Sequence, residues 1–110
     1  METTKKEKEF SFNGTNNYSY LRLRESKNLK VYAESSHFDR ILCEDKDNGD
    51  LFLYEFYEYM DFNDGNDEMY ETFVLVKDEK DADKLNKERD IRRSPYIRVM
   101  PNFDIITKEG

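Results

Sequence analysis

Two stretches, Leu51 to Tyr59 (LFLYEFYEY) and Met69 to Val76 (MYETFVLV), decide how this chain folds. Both are apolar and aromatic, too rich in Phe, Tyr and Val for a typical helix, and short enough to be strands bounded by turn residues. Asp47-Asn48-Gly49-Asp50 precedes the first, and Asn63-Asp64-Gly65-Asn66-Asp67 separates the two. The pair is therefore expected to form an antiparallel hairpin around a long acidic loop, with Leu51 to Tyr59 as the central strand.

Toward the N-terminus, Phe38 to Cys43 (FDRILC) suits either a strand or one helical turn. Leu29, Val31 and Ala33 repeat every second residue. Tyr18 to Glu25 does the same, with Tyr18, Tyr20, Arg22 and Arg24 on one side and Ser19, Leu21, Leu23 and Glu25 on the other. The spacing predicts two half-buried strands joined at Ser26-Lys27-Asn28. Phe10 to Phe12 starts an edge strand, and residues 1–9, all polar or charged after Met1, read as a flexible tail.

Toward the C-terminus, Lys77 to Arg93 sets Ala82, Leu85 and Ile91 among charges, with acids near its start and Arg92-Arg93 near its end. That arrangement complements a helix dipole and predicts one thinly apolar amphipathic helix over about 79–93, ended by Ser94-Pro95. Tyr96 to Met100 and Phe103 to Thr107 read as closing strands around Pro101-Asn102. The expected fold is α+β: one domain over 10–110, mostly antiparallel sheet with one helix.

A length of 110 residues suits one domain, since two would leave each half too small for a useful core. Hydrophobic residues at 36% and charged residues at 39% lean toward disorder. Against that, the net charge of −7 is only about 0.06 per residue, and eight Phe with eight Tyr supply large, stiff side chains for a core. No apolar run has the length of a membrane span, and Met1 to Glu9 (METTKKEKE) lacks the apolar segment of a signal peptide, so a cytoplasmic protein is expected. Cys43 is the one cysteine, which excludes an internal disulfide and a multi-cysteine zinc site.

Few groups invite chemistry. His37 and Cys43 are the one thiol and imidazole, but no orienting partner or oxyanion donor accompanies them, and Cys43 beside Ile41 and Leu42 reads as a small core residue. Asp45 to Asp50 imitates a calcium loop with its glycine at position five instead of six, and the Asp61 to Asp67 stretch fails in the same way. Glu55 and Glu58 lack the large scaffold a glycosidase needs. Four scattered glycines make no phosphate loop. No enzyme activity, cofactor or metal is expected.

Charge distribution says more. From Glu44 to Asp83, fifteen acids accompany three bases, a segment charge of −12, while the other 70 residues carry ten acids and fifteen bases, +5. Within the block, Glu55, Glu58, Asp61, Asp64, Asp67, Glu68 and Glu71 are interleaved with Tyr57, Tyr59 and Tyr70. Carboxylates two residues apart on a strand lie about 6.6–6.8 Å apart, near the spacing of alternate phosphates on one nucleic-acid strand. Such a face suits the basic channel of a nucleic-acid-processing enzyme, with Tyr side chains as rigid anchors, and the leading expectation is a non-enzymatic inhibitor that imitates nucleic acid. In composition the chain resembles the small acidic proteins with which phages and mobile elements block host restriction or CRISPR nucleases. The alternatives are an OB-like single-stranded nucleic-acid binder using Arg22, Arg24, Tyr18 and Tyr20, and a subunit of a larger assembly.

Overall fold

The computed structural model describes residues 5–11, 16–60, 65 and 67–108. In chain order the elements are β1 (Phe10–Ser11), β2 (Asn17–Tyr18), α1 (Tyr20–Arg24), β3 (Lys27–Glu34), β4 (Phe38–Glu44), β5 (Leu51–Tyr59), β6 (Glu68–Val76), α2 (Glu79–Asn86), β7 (Tyr96–Val99) and β8 (Ile105–Lys108). β3 to β8 form one antiparallel sheet in sequence order, and β1 pairs with β2 as a small separate ribbon. The class is α+β, as the residue pattern predicts. No helix among the described residues is long and apolar enough to cross a membrane.

At the centre, β5 and β6 pair from Leu51↔Val76 to Tyr59↔Glu68, the hairpin expected from the two aromatic runs. Phe38 to Cys43, left open by the sequence, lies in a strand, β4, because β5 offers it a full ladder from Phe38↔Tyr57 to Glu44↔Leu51. Both faces of the sheet are covered, which is why β5 begins with an unbroken apolar run: Phe52, Leu53 and Tyr54 are all buried. One face carries Cys43, Phe52, Tyr54, Phe73, Ile97 and Val99, capped by Tyr18 and Leu23. The opposite face packs Leu42, Leu53, Val74 and Val76 against Ala82 and Leu85 of α2 and against Ile91.

Three sequence expectations change. Tyr20 to Arg24 is a helix, not part of a strand, so β3 pairs with β4 instead of with Tyr18 to Glu25. Ser19 caps that helix by accepting from the Arg22 amide at 3.2 Å, and Tyr20, Leu23 and Arg24 share the i, i+3, i+4 side that meets the sheet. The second helix stops at Asn86 instead of running to Arg93. Asp78 caps its start through the Asp81 amide at 2.8 Å, while the bonds Lys87 N to Lys84 O and Glu88 N to Leu85 O tighten its last turn. Finally, the sheet is an open meander and not an OB-like barrel: each strand pairs with its sequence neighbour, β6 and β7 across the long connection that carries α2, leaving β3 and β8 as the two edges. β3 carries two register shifts, between Asn28 and Lys30 and between Val31 and Ala33.

Candidate functional site

β4 follows β5 only as far as Tyr57, and β7 follows β6 only as far as Glu71. Beyond those positions the pairs Glu58↔Met69 and Tyr59↔Glu68 continue as a two-stranded tip. Strand alternation sorts its side chains. Tyr57, Tyr59, Glu68 and Tyr70 lie on the α2 face, and Glu58 and Met69 lie on the other. Tyr57 and Tyr70 are cross-strand partners with ring centres 6.4 Å apart, and the Arg98 guanidinium sits 4.8 Å from the Tyr70 ring. The Tyr70 hydroxyl donates to Glu68 at 2.6 Å, which raises the phenol above its ordinary pKa. Glu58 meets His37 Nδ1 at 2.7 Å. Tyr57, Tyr59 and Met69 are 42%, 51% and 52% exposed, large side chains left in solvent at one end of the molecule. Asp67 and Glu68 are exposed beside them.

Of the seven acids expected to form one face, the four that lie on strands do not share one: Glu55 and Glu68 are on the α2 face, Glu58 and Glu71 on the other. Glu55 turns toward α2 and holds Arg40 Nε at 2.9 Å. Arg40, buried, also donates to the carbonyls of Asn86, Glu88 and Arg89, each at 2.8 Å, and so ties the end of α2 to the sheet. Glu71 turns to the other side, where it accepts from the Tyr54 hydroxyl at 2.6 Å and pairs with Arg24 at 3.2 Å. Glu55 and Glu71 are therefore satisfied inside the fold. Asp61 and Asp64 lie outside the described residues. Met69 was missed as a surface residue, although its place opposite Glu58 at the far end of an apolar strand is a readable signal.

The Arg and Tyr residues of the alternative nucleic-acid platform are engaged internally as well. Tyr18 is buried edge-on against Phe52, and its hydroxyl bonds Asp50 and Asn48, leaving no ring face for a base. Arg22 makes a two-pronged bond to Asp45 at 3.0 and 2.9 Å, which holds that carboxyl below its usual range. Tyr20 packs edge-on to Phe103, and burial together with Glu71 pushes its phenol up to about 12. Arg24 Nη1 bonds the Tyr54 hydroxyl at 2.9 Å.

The two loops that imitate calcium sites serve the backbone where they are described. Asp45 accepts the amides of Asp47 and Asn48 at 3.1 and 3.0 Å, an Asx turn closed by Gly49 in the left-handed region (φ 80°). No group of three or more His, Cys, Asp or Glu among the described residues is placed to hold a metal ion. Cys43 and His37 are six residues apart along extended chain, about 20 Å. The thiol is buried, faces Asn28 Oδ1 at 3.5 Å, and is pushed up to about 11 by desolvation.

Comparison with protein-family models, with curated proteins and with solved structures finds no match for this chain.

Proposed function

We propose that this protein acts by binding, and that the acidic, tyrosine-bearing tip of the β5–β6 hairpin docks on a basic surface, that of an enzyme which handles nucleic acid, and blocks it. The observation that carries this reading is the tip itself: Tyr57, Tyr59 and Met69 stand in solvent where the hairpin outruns its neighbours. Between Lys46 and Lys77 the chain holds nine acids and no base, so a cationic partner meets little local repulsion there. Tyrosines supply rigid contact area at the centre of such an interface, and the surrounding acids speed and orient the encounter. The support favours a projecting acidic wedge over a regular ladder of phosphate-like charges, because Glu55 and Glu71 are held by Arg40 and Arg24.

The test is affinity capture from a host lysate with the wild type and with Tyr57→Ser/Tyr59→Ser, followed by elution with duplex DNA and with salt. The reading expects a nucleic-acid enzyme that is retained by the wild type, lost with the variant, released by DNA and inhibited in its own assay. The isolated protein should bind neither DNA nor RNA. A partner retained equally by both proteins sinks the proposal.

A further inference from the structure

On the sheet face opposite α2, α1 and the strands enclose a concavity of about 810 Å³, within the range of pockets that hold small organic ligands. Its floor is apolar and aromatic, made by Ile41, Tyr54, Phe56, Phe73 and Val99. Its wall beside α1 is different in kind. Ser26 lies there, and its hydroxyl is the buried side-chain oxygen that lacks a hydrogen-bond partner among the described residues. Arg24 lies there too, with Nη1 committed to Tyr54 and Glu71, while Nε and Nη2 have no partner among the described residues. Lys46, exposed and likewise unpartnered among the described residues, completes that side.

Charge at the cavity departs from charge on the molecule. The lining includes three bases, Arg24, Lys27 and Lys46, and two acids, Asp39 and Glu71, a balance of +1 in a chain of −7. Glu71, itself part of the lining, holds Arg24 through Nη1, so the guanidinium is oriented before any ligand arrives. The remaining polar side chains stay neutral near pH 7: burial and Glu71 hold Tyr54 well above its ordinary range, and burial does the same for Cys43.

We propose that this cavity binds an amphipathic organic anion, with an aromatic or alkyl body on the Ile41–Phe56–Phe73 floor and an oxyanion head held by Arg24 and Lys46. A charge-assisted bond to a fixed guanidinium supplies orientation, and the floor supplies the apolar contact. The cavity shares Met69 with the hairpin tip, but Tyr57 and Tyr59 lie on the opposite sheet face, so Tyr57→Ser/Tyr59→Ser tests the docking without touching this site.

Dodecanoate is the probe, titrated by calorimetry below its micellar concentration, with dodecyltrimethylammonium as a control of equal chain length and opposite charge. Dodecanoate should saturate one site and move the amide resonances of Ser26, Ile41 and Phe56, whereas the cation should not saturate. Arg24→Gln should weaken dodecanoate by about tenfold or more, the scale of a lost charge-assisted hydrogen bond. Lys46→Gln should weaken it by about threefold, and Lys84→Gln on exposed α2 should leave it unchanged. Should Arg24→Gln lose cooperative unfolding, Lys46→Gln decides, since that exposed side chain has no described structural partner. Absence of saturable binding, equal binding of anion and cation, resonance shifts confined to other surfaces, or indifference to the charge substitutions overturns the proposal.

Discussion

Replacing Arg40 with Ala removes a side chain that joins β4, β5 and the end of α2. In the wild type its guanidinium makes four bonds of 2.8 to 2.9 Å, to Glu55 and to the carbonyls of Asn86, Glu88 and Arg89. Its side chain is 8% exposed and that of Glu55 is 16% exposed, so the pair is screened little by water. Removing one partner of a buried pair costs about 3–5 kcal/mol, because the other charge stays behind uncompensated. Against a stability of about 10 kcal/mol, the middle of the range for domains, that is about 30–50%, and the variant should keep its fold. With a urea slope of about 2 kcal/mol/M, the midpoint should fall by about 1.5–2.5 M in a circular-dichroism titration. Arg40→Met with Glu55→Leu should recover part of the loss, since an apolar pair avoids the buried charge, but not all, since three carbonyls remain unserved. A midpoint for Arg40→Ala within about 0.25 M of the wild type would refute this reasoning.

Asp81 pairs with Arg93 through two 2.8 Å bonds, and Arg93 foremost holds its carboxyl near a pKa of about 2. A depressed carboxyl contributes stability above its unfolded pKa of about 3.9 and loses it as pH falls through about 2, so Asp81→Asn should lower Tm at pH 7 by more than it does near pH 2, where most of the contribution is gone. With its pKa pushed up to about 11, the Cys43 thiol is about 0.1% thiolate at pH 8, and iodoacetamide should label it orders of magnitude more slowly in the native than in the urea-unfolded protein. Equal labelling rates would show that the thiol is not buried. Tyr59→Ala, at an exposed position, should change stability by less than about 0.5 kcal/mol, and Tyr57→Ala, which loses its cross-strand pair with Tyr70, by about 1 kcal/mol, while both weaken partner capture. Asp67→Lys with Glu68→Lys should slow association at 0.1 M salt, and the difference from wild type should shrink by 1 M as the Debye length falls from about 10 to about 3 Å.

The central hairpin was legible because a strand covered on both sides needs apolar residues at consecutive positions, and Phe52, Leu53 and Tyr54 supply them. Tyr18 to Glu25 reads as a strand, and Tyr20 to Arg24 folds as a helix, for a definite reason. Tyr20, Leu23 and Arg24 satisfy helical spacing while Tyr20, Arg22 and Arg24 satisfy strand alternation, and the Ser19 cap with the need to cover Phe52 and Phe73 selects the helix. The C-terminal helix had a readable limit, since Ile91 lies about 240° around a helix from Leu85 and falls off its apolar stripe. The acidic block was visible, but its sorting was not. Arg40 and Arg24 reach Glu55 and Glu71 from 15 and 47 residues away, partners that only the sheet register and the seating of α1 bring together.

The two bulges in β3 have a further consequence, for what happens when many copies of this chain meet. An open sheet can grow by recruiting a foreign strand at its border, and β3 presents exposed Leu29 and Val31 along such a border. The bulges interrupt the regular comb of amides and carbonyls that a recruit would have to match, and Lys27 and Lys30 place positive charge against any identical neighbour. Straightening this border by deleting a bulge residue would turn a self-limiting molecule into a seed for polymers.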